Sequence, residues 1–128
     1  MKNFNFKTSI YLFILALTVS NVNAQDQQES SDKLFQHVLF FKWNDTVEET
    51  KKEEILNLFK ELPNKVDGFE SVAINDITAS SGEYNLIINL QFTSEEAVKV
   101  YEKHSDHIKI SKIGPEVLSG FGFVDYWT

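Results

Sequence analysis

No cysteine occurs in this chain of 128 residues. A disulfide framework, a thiolate nucleophile, a cysteine zinc site and a lipid-modified lipoprotein cysteine are therefore all excluded. Arginine is absent as well, so all 12 basic residues are lysines. The planar fork that grips phosphate and carboxylate in bidentate fashion is missing. The sequence has no glycine-rich phosphate loop, no Gly-x-Ser-x-Gly motif and no calcium-loop spacing in Glu48-Glu49 or Glu53-Glu54. Chemistry that needs ATP, NAD or a serine nucleophile is not expected, and no cofactor is expected. Positive charge is also scarce. The net charge of -7 disfavours nucleic acid and anionic membranes as partners.

Aromatic residues are plentiful, with 11 Phe, 4 Tyr and 2 Trp. They supply a bulky core to a chain long enough for one domain. Long apolar runs are few. The clearest, Ile10–Val19, is about ten residues, half of what a bilayer requires. It follows Lys2 and Lys7 and precedes Val22-Asn23-Ala24, the three-part pattern of a secretory signal peptide over residues 1–24. Cleavage there predicts a periplasmic or secreted protein with no stable membrane anchor. Ten lysines would then stand against 19 acidic residues, a formal charge of -9. Residues 25–33 are polar and read as a disordered leader, with the folded domain over 34–128.

Phe35–Trp43 reads as a strand with His37, Leu39, Phe41 and Trp43 on one face and Gln36, Val38, Phe40 and Lys42 on the other. Both faces are largely apolar, so both should be covered. Thr46 and Glu49 have capping-box spacing before an amphipathic helix carrying Ile55, Leu58, Phe59 and Leu62. Glu48 and Lys52 form an i,i+4 pair there. Strands are expected over Phe69–Ile77, Tyr84–Phe92 and Phe121–Trp127. Thr93 and Glu96 open a second helix, continued after Ser105 or Asp106 and interrupted at Gly114-Pro115. The order β-α-β-β-α-β predicts a ferredoxin-like α+β fold, an antiparallel sheet with helices on one face. The other sheet face needs cover, and a second copy supplies it most simply. The expected assembly is a homodimer pairing through its sheet faces as a dimeric α/β barrel.

Gln36-His37-Val38-Leu39-Phe40-Phe41-Lys42 resembles the opening strand of the stress-responsive A/B barrel (Dabb) domain. Leu62-Pro63, the later Gly68, Tyr101-x-x-His104-x-x-His107 and Val124-Asp125-Tyr126 are similar to its other signatures. The resemblance runs from about Phe35 to Trp127. It implies a dimeric barrel with a pocket between sheet and helices in each subunit. Some members are stress-associated, and some are polyketide cyclases that close a ring by aldol chemistry. Their catalytic Tyr and His correspond to Tyr101 and His107, and their first-strand His to His37. Ser105 replaces a usual Pro. Leu86 stands where the cyclase pattern has a pocket His, which implies a more apolar pocket.

The three histidines offer groups that titrate near neutrality, suited to proton transfer. On a continuous helix His104 would lie about 60° and His107 about 120° from Tyr101. A break at Ser105-Asp106 would swing His107 back toward the pocket. Tyr101 and His107 are the candidate catalytic pair, and His37, His104, Leu86 and Asp125 the candidate binding residues. In the structural alternative His104 caps helix carbonyls, His107 bonds to Asp125 and Tyr101 is a core aromatic. A zinc site from His37, His104 and His107 is not expected, because a helical spacing of three is unusual for zinc ligands and nothing fixes a second shell. The functions that follow are binding of a small, largely apolar molecule, a cofactor-free cyclase or lyase, or a structural assembly protein.

Overall fold

The computed structural model describes residues 33–128. The expected signal peptide, and all but the last residue of the expected leader, lie outside the described residues. Four strands, β1 (Phe35–Trp43), β2 (Phe69–Asp76), β3 (Leu86–Phe92) and β4 (Leu118–Trp127), form one sheet. Its order is β2-β3-β1-β4, with every neighbouring pair antiparallel. Helix α1 (Glu49–Glu61) joins β1 to β2, and helices α2 (Glu95–Lys103) and α3 (Ser105–Val117) join β3 to β4. In each case another strand separates the two joined strands, as in the split βαβ arrangement of ferredoxin-like folds.

The register fixes the two faces. Leu39 stands between Ile88 and Phe123, and Phe41 between Leu86 and Phe121. These inward residues pack with Ile55 and Phe59 of α1, Ala97 and Tyr101 of α2, and Ile110 and Val117 of α3. All three helices therefore cover the same sheet face. Burial of this stripe, rather than helix propensity, stabilises the short helices. A bulge between Phe69 and Ser71 puts an extra residue in β2. It lets Phe69 face inward against Phe92, at a ring separation of 4.4 Å, while Ser71 faces outward.

Several local features differ from the sequence expectation. Thr46 does not cap α1. The cap position is Glu48, without a side-chain bond, and the Thr46 hydroxyl reaches Asn44 Oδ1 instead. Lys52 pairs with Glu49 at 3.1 Å rather than with Glu48, one turn position closer. Ser94, not Thr93, caps α2, its Oγ accepting the Ala97 N–H. The Thr93 hydroxyl instead donates to the Gly68 carbonyl. Strand β3 begins at Leu86, because Asn85 is spent on β1: its N–H donates to the Phe41 carbonyl and its Oδ1 accepts the Trp43 N–H. Pro115 lies inside α3 without ending it. It falls in the last turn, so only one helical bond is lost. Gly114 before it lacks the Cβ that proline would push out of the helical region.

Candidate functional site

The helix break that builds the site is one residue earlier than expected. His104 is extended, at φ -66° and ψ 141°, and separates α2 from α3. Its ring Nδ1 accepts the Asp106 N–H at 3.1 Å, so His104 is the N-cap of α3. The imidazole thus does what Ser or Asp does at other helix starts. His104 does not line the site. It belongs to the capping alternative, but at the start of the following helix rather than the end of α2.

The break redirects α3 and brings His107 over Tyr101, with ring centroids 4.4 Å apart. His107 Nδ1 lies 2.9 Å from the Glu102 carbonyl oxygen. A carbonyl only accepts, so Nδ1 carries a proton and Nε2 is the ring nitrogen not engaged by Glu102. Tyr101 sits against Phe69, Phe92 and His107, and is only 2% exposed. Burial pushes its phenol well above the ordinary value of 10, and the Glu102 carboxylate adds to the shift. Tyr101 therefore remains a proton donor throughout the neutral range.

His37 enters from the inner face of β1, its ring 6.3 Å from that of Tyr101. Asp125 faces it from β4, its register partner, and Asp125 Oδ1 lies 2.5 Å from His37 Nδ1. A carboxylate accepts, so His37 carries a proton on Nδ1 and turns Nε2 away from Asp125. It is His37, not His107, that bonds to Asp125.

His37, Tyr101 and His107 all border one cavity of about 450 Å³. Its walls are mostly apolar: Leu39 and Phe41 of β1, Ile55 and Phe59 of α1, Ile110 of α3 and Phe121 of β4. Gly114 also borders it, and a Cβ added there would meet nothing within 4 Å. Leu86 lies elsewhere. It pairs with Phe41, four positions along the sheet from the partner of His37, and borders a separate hollow of about 400 Å³ beside Trp43, Lys52 and Asp76. The position that would hold a pocket histidine thus borders the second hollow, although its register partner Phe41 lines the main cavity. Asp125 acts through His37 and does not itself line the cavity. Among the described residues no group of three or more His, Asp or Glu could hold a metal ion. Ile55, Phe59, Ile110 and Phe121 carried no sequence signal as lining residues, because a cavity wall and a solid core share the same apolar periodicity.

The stress responsive A/B barrel domain matches residues 35–128. The chain belongs to the Dabb family. A dimeric ferredoxin-like protein of unknown function from Bacteroides fragilis is 27% identical, with a TM-score of 0.56, over 73% of this chain and 94% of that one. An Arabidopsis thaliana protein is 25% identical, with a TM-score of 0.63, over 72% and 92%. A hydroxynitrile lyase from Passiflora edulis shares the fold at 10% identity and a TM-score of 0.65, over 74% and 93%. No curated protein matches the chain in sequence. Within this Dabb domain, the helix signature is divided by the break at His104. Tyr101 and His107 go to the cavity, and His104 goes to the cap.

Proposed function

We propose that this Dabb domain is an exported homodimer that binds a small, largely apolar molecule in the cavity between sheet and helices, in a stress-related role. The observation that carries the binding is the cavity itself. Apolar walls surround about 450 Å³ and three polar aromatic rings converge on it. A few directed polar groups in an apolar hollow suit a ligand with an apolar body and one carbonyl or hydroxyl. Export rests on the signal-peptide pattern of residues 1–24. Pairing rests on the outward apolar residues of the sheet and on relatives described as dimeric. Native mass spectrometry of the protein purified from its exported location tests all three. A dimer of residues 25–128 carrying extra mass supports the proposal. An empty dimer counts against stable binding, and a monomer counts against the assembly.

A second reading is favoured by the proton positions. Tyr101 holds a proton to donate, while His37 and His107 each engage a backbone or carboxylate oxygen through Nδ1, which leaves Nε2 as the nitrogen available to a ligand. That combination suits cofactor-free enolisation, with aldol ring closure or lyase cleavage following. Tyr101 would polarise a carbonyl and His107 would take the proton from the adjacent carbon. Deuterium uptake beside the carbonyl of hydrophobic ketones, lost in Tyr101→Phe and His107→Ala, is the expected result. Uptake equal to the buffer rate with every ketone tried would remove this reading.

A further inference from the structure

The cavity has two polar ends of different kinds. Its closed end is walled by the buried Tyr101, Ile55 and Phe59, and there Tyr101 offers a hydroxyl hydrogen. Its mouth is formed by the second half of α3 and the start of β4, where Ser111 and Ser119 are both exposed. Both serines have spent their hydrogen on the backbone. Ser111 Oγ donates to the His107 carbonyl at 3.0 Å, and Ser119 Oγ donates to the Trp43 carbonyl at 3.1 Å. Each hydroxyl oxygen keeps only its accepting capacity. A third acceptor lies beside them. Pro115 has no N–H, so the Ser111 carbonyl, one turn earlier in α3, lacks its helical donor. Gly114 adds no side chain there, and the space beside it is open. A bulge places Ser119. Lys42 pairs with Gly120 but Trp43 pairs with Leu118, which leaves Ser119 as the extra residue of β4 at the mouth.

We infer that this rim of acceptors is a second subsite of the cavity, which takes a hydrogen bond from a hydroxyl or N–H group at the far end of the ligand. The inference rests on the cavity reading proposed above and names the class of molecule. The ligand is a neutral, extended carbonyl compound whose oxygen accepts from Tyr101 and whose other end is a donor. Two spacings bound its length. Ser111 lies one helical turn beyond His107, about 6 Å. Along β1, Lys42 stands level with Gly120 at the mouth and lies five residues from His37, about 16 Å. The polar ends of the ligand are therefore roughly 6–16 Å apart, with an apolar body between them against Leu39 and Phe41. Charge narrows the class further. Among the described residues no lysine and no carboxylate borders the cavity. A carboxylate at the mouth would meet acceptors without a cation, and an alkyl end would leave those acceptors to water.

Calorimetric titration of the wild-type protein with a set of methyl ketones tests this. All share a chain of roughly ten carbons, matched to that distance, and differ only at the far end, which is a hydroxyl, its methyl ether, a carboxylate or a plain methyl. The hydroxyl compound should bind about tenfold more tightly than the ether or the plain ketone, and the carboxylate should bind most weakly. Ser119→Ala should cut the preference for the hydroxyl to about threefold or less. Pro115→Ala returns a helical N–H to the Ser111 carbonyl and should lower the same preference. Circular dichroism checks that both variants are folded, and the ligand series in the wild type stands without them. Four ketones bound alike, or the carboxylate bound best, would overturn the rim subsite and leave the cavity reading standing. A hydroxyl preference that survives both substitutions in folded protein also overturns the rim. No binding of any of the four overturns the cavity reading along with it.

Discussion

Asp125 of β4 accepts the Nδ1–H of His37 on β1 at 2.5 Å, directly across the strand pair. The bond fixes a proton on the Nδ1 side of the ring and so sets which nitrogen is turned away from Asp125. Asp125→Asn removes that control, because an amide can either accept or donate. The expected result is a loss of ligand affinity or turnover of roughly 10- to 100-fold, from weakening a hydrogen bond to a charged group. Nitrogen-15 NMR of the His37 ring checks the cause. The wild type should show a protonated Nδ1, and the variant a mixture of tautomers. An unchanged tautomer together with unchanged binding would show that Asp125 has no part in the site.

Tyr101 separates packing from chemistry. Its ring is fixed by Phe69 and Phe92 at centroid distances of 5.6 and 5.2 Å, contacts that Tyr101→Phe retains. The variant should keep its stability within about 1 kcal/mol. Ligand affinity should fall about tenfold, and any enolisation by about a hundredfold or more. Thermal unfolding and titration with the co-purified ligand measure the two effects separately. A large loss of stability with intact binding would reassign the hydroxyl to the fold.

Lys65 and Asp106 tie the turn after α1 to the start of α3 at 2.7 Å. The hydrogen bond from Lys65 holds the Asp106 carboxyl below its ordinary value of 3.8. A lowered carboxyl value means stability that is present above pH 3.8 and is lost as pH falls through the lowered value. Asp106→Asn should therefore be less stable than wild type at neutral pH by a small margin, since the pair is solvent-exposed. The difference should vanish in acid. Urea unfolding of both proteins between neutral pH and pH ~2 reads the convergence.

Gly68 joins the 3₁₀ turn Leu62–Asn64 to β2 at φ 80°. An added Cβ would lie 2.7 Å from Ala97 Cβ and 2.8 Å from Thr93 Oγ1. Gly68→Ala thus combines a left-handed backbone with a clash against α2. The expected cost is about 3 kcal/mol, roughly 1–2 from the backbone and the rest from overpacking. That corresponds to a melting temperature lower by roughly 10–20 °C, measurable by calorimetry. A shift of a degree or two would mean that α2 moves away freely.

The fold was legible in the sequence because its signals are local and periodic. Alternation in Phe35–Trp43 and Leu86–Phe92, the apolar stripe of α1 and the β-α-β-β-α-β order all survive in the structure. Family membership was legible for the same reason, through short ordered signatures. The caps shifted by a residue or more because Thr46 and Thr93 have hydroxyls that other local partners claimed. Sequence spacing cannot rank such competing bonds.

The site was legible only as a set of residue types. Sequence alone determined that Tyr101, His104 and His107 share one segment, that Asp125 lies on the last strand and that no thiol or guanidinium takes part. Tertiary structure decided their roles. Register set Asp125 opposite His37 and carried Leu86 to another hollow, and the extended backbone of His104 turned one histidine into a cap while folding the next over Tyr101. The physical reason is range: periodicity fixes which face a side chain takes, whereas its partner comes from strand pairing and helix direction set by residues far away in the chain.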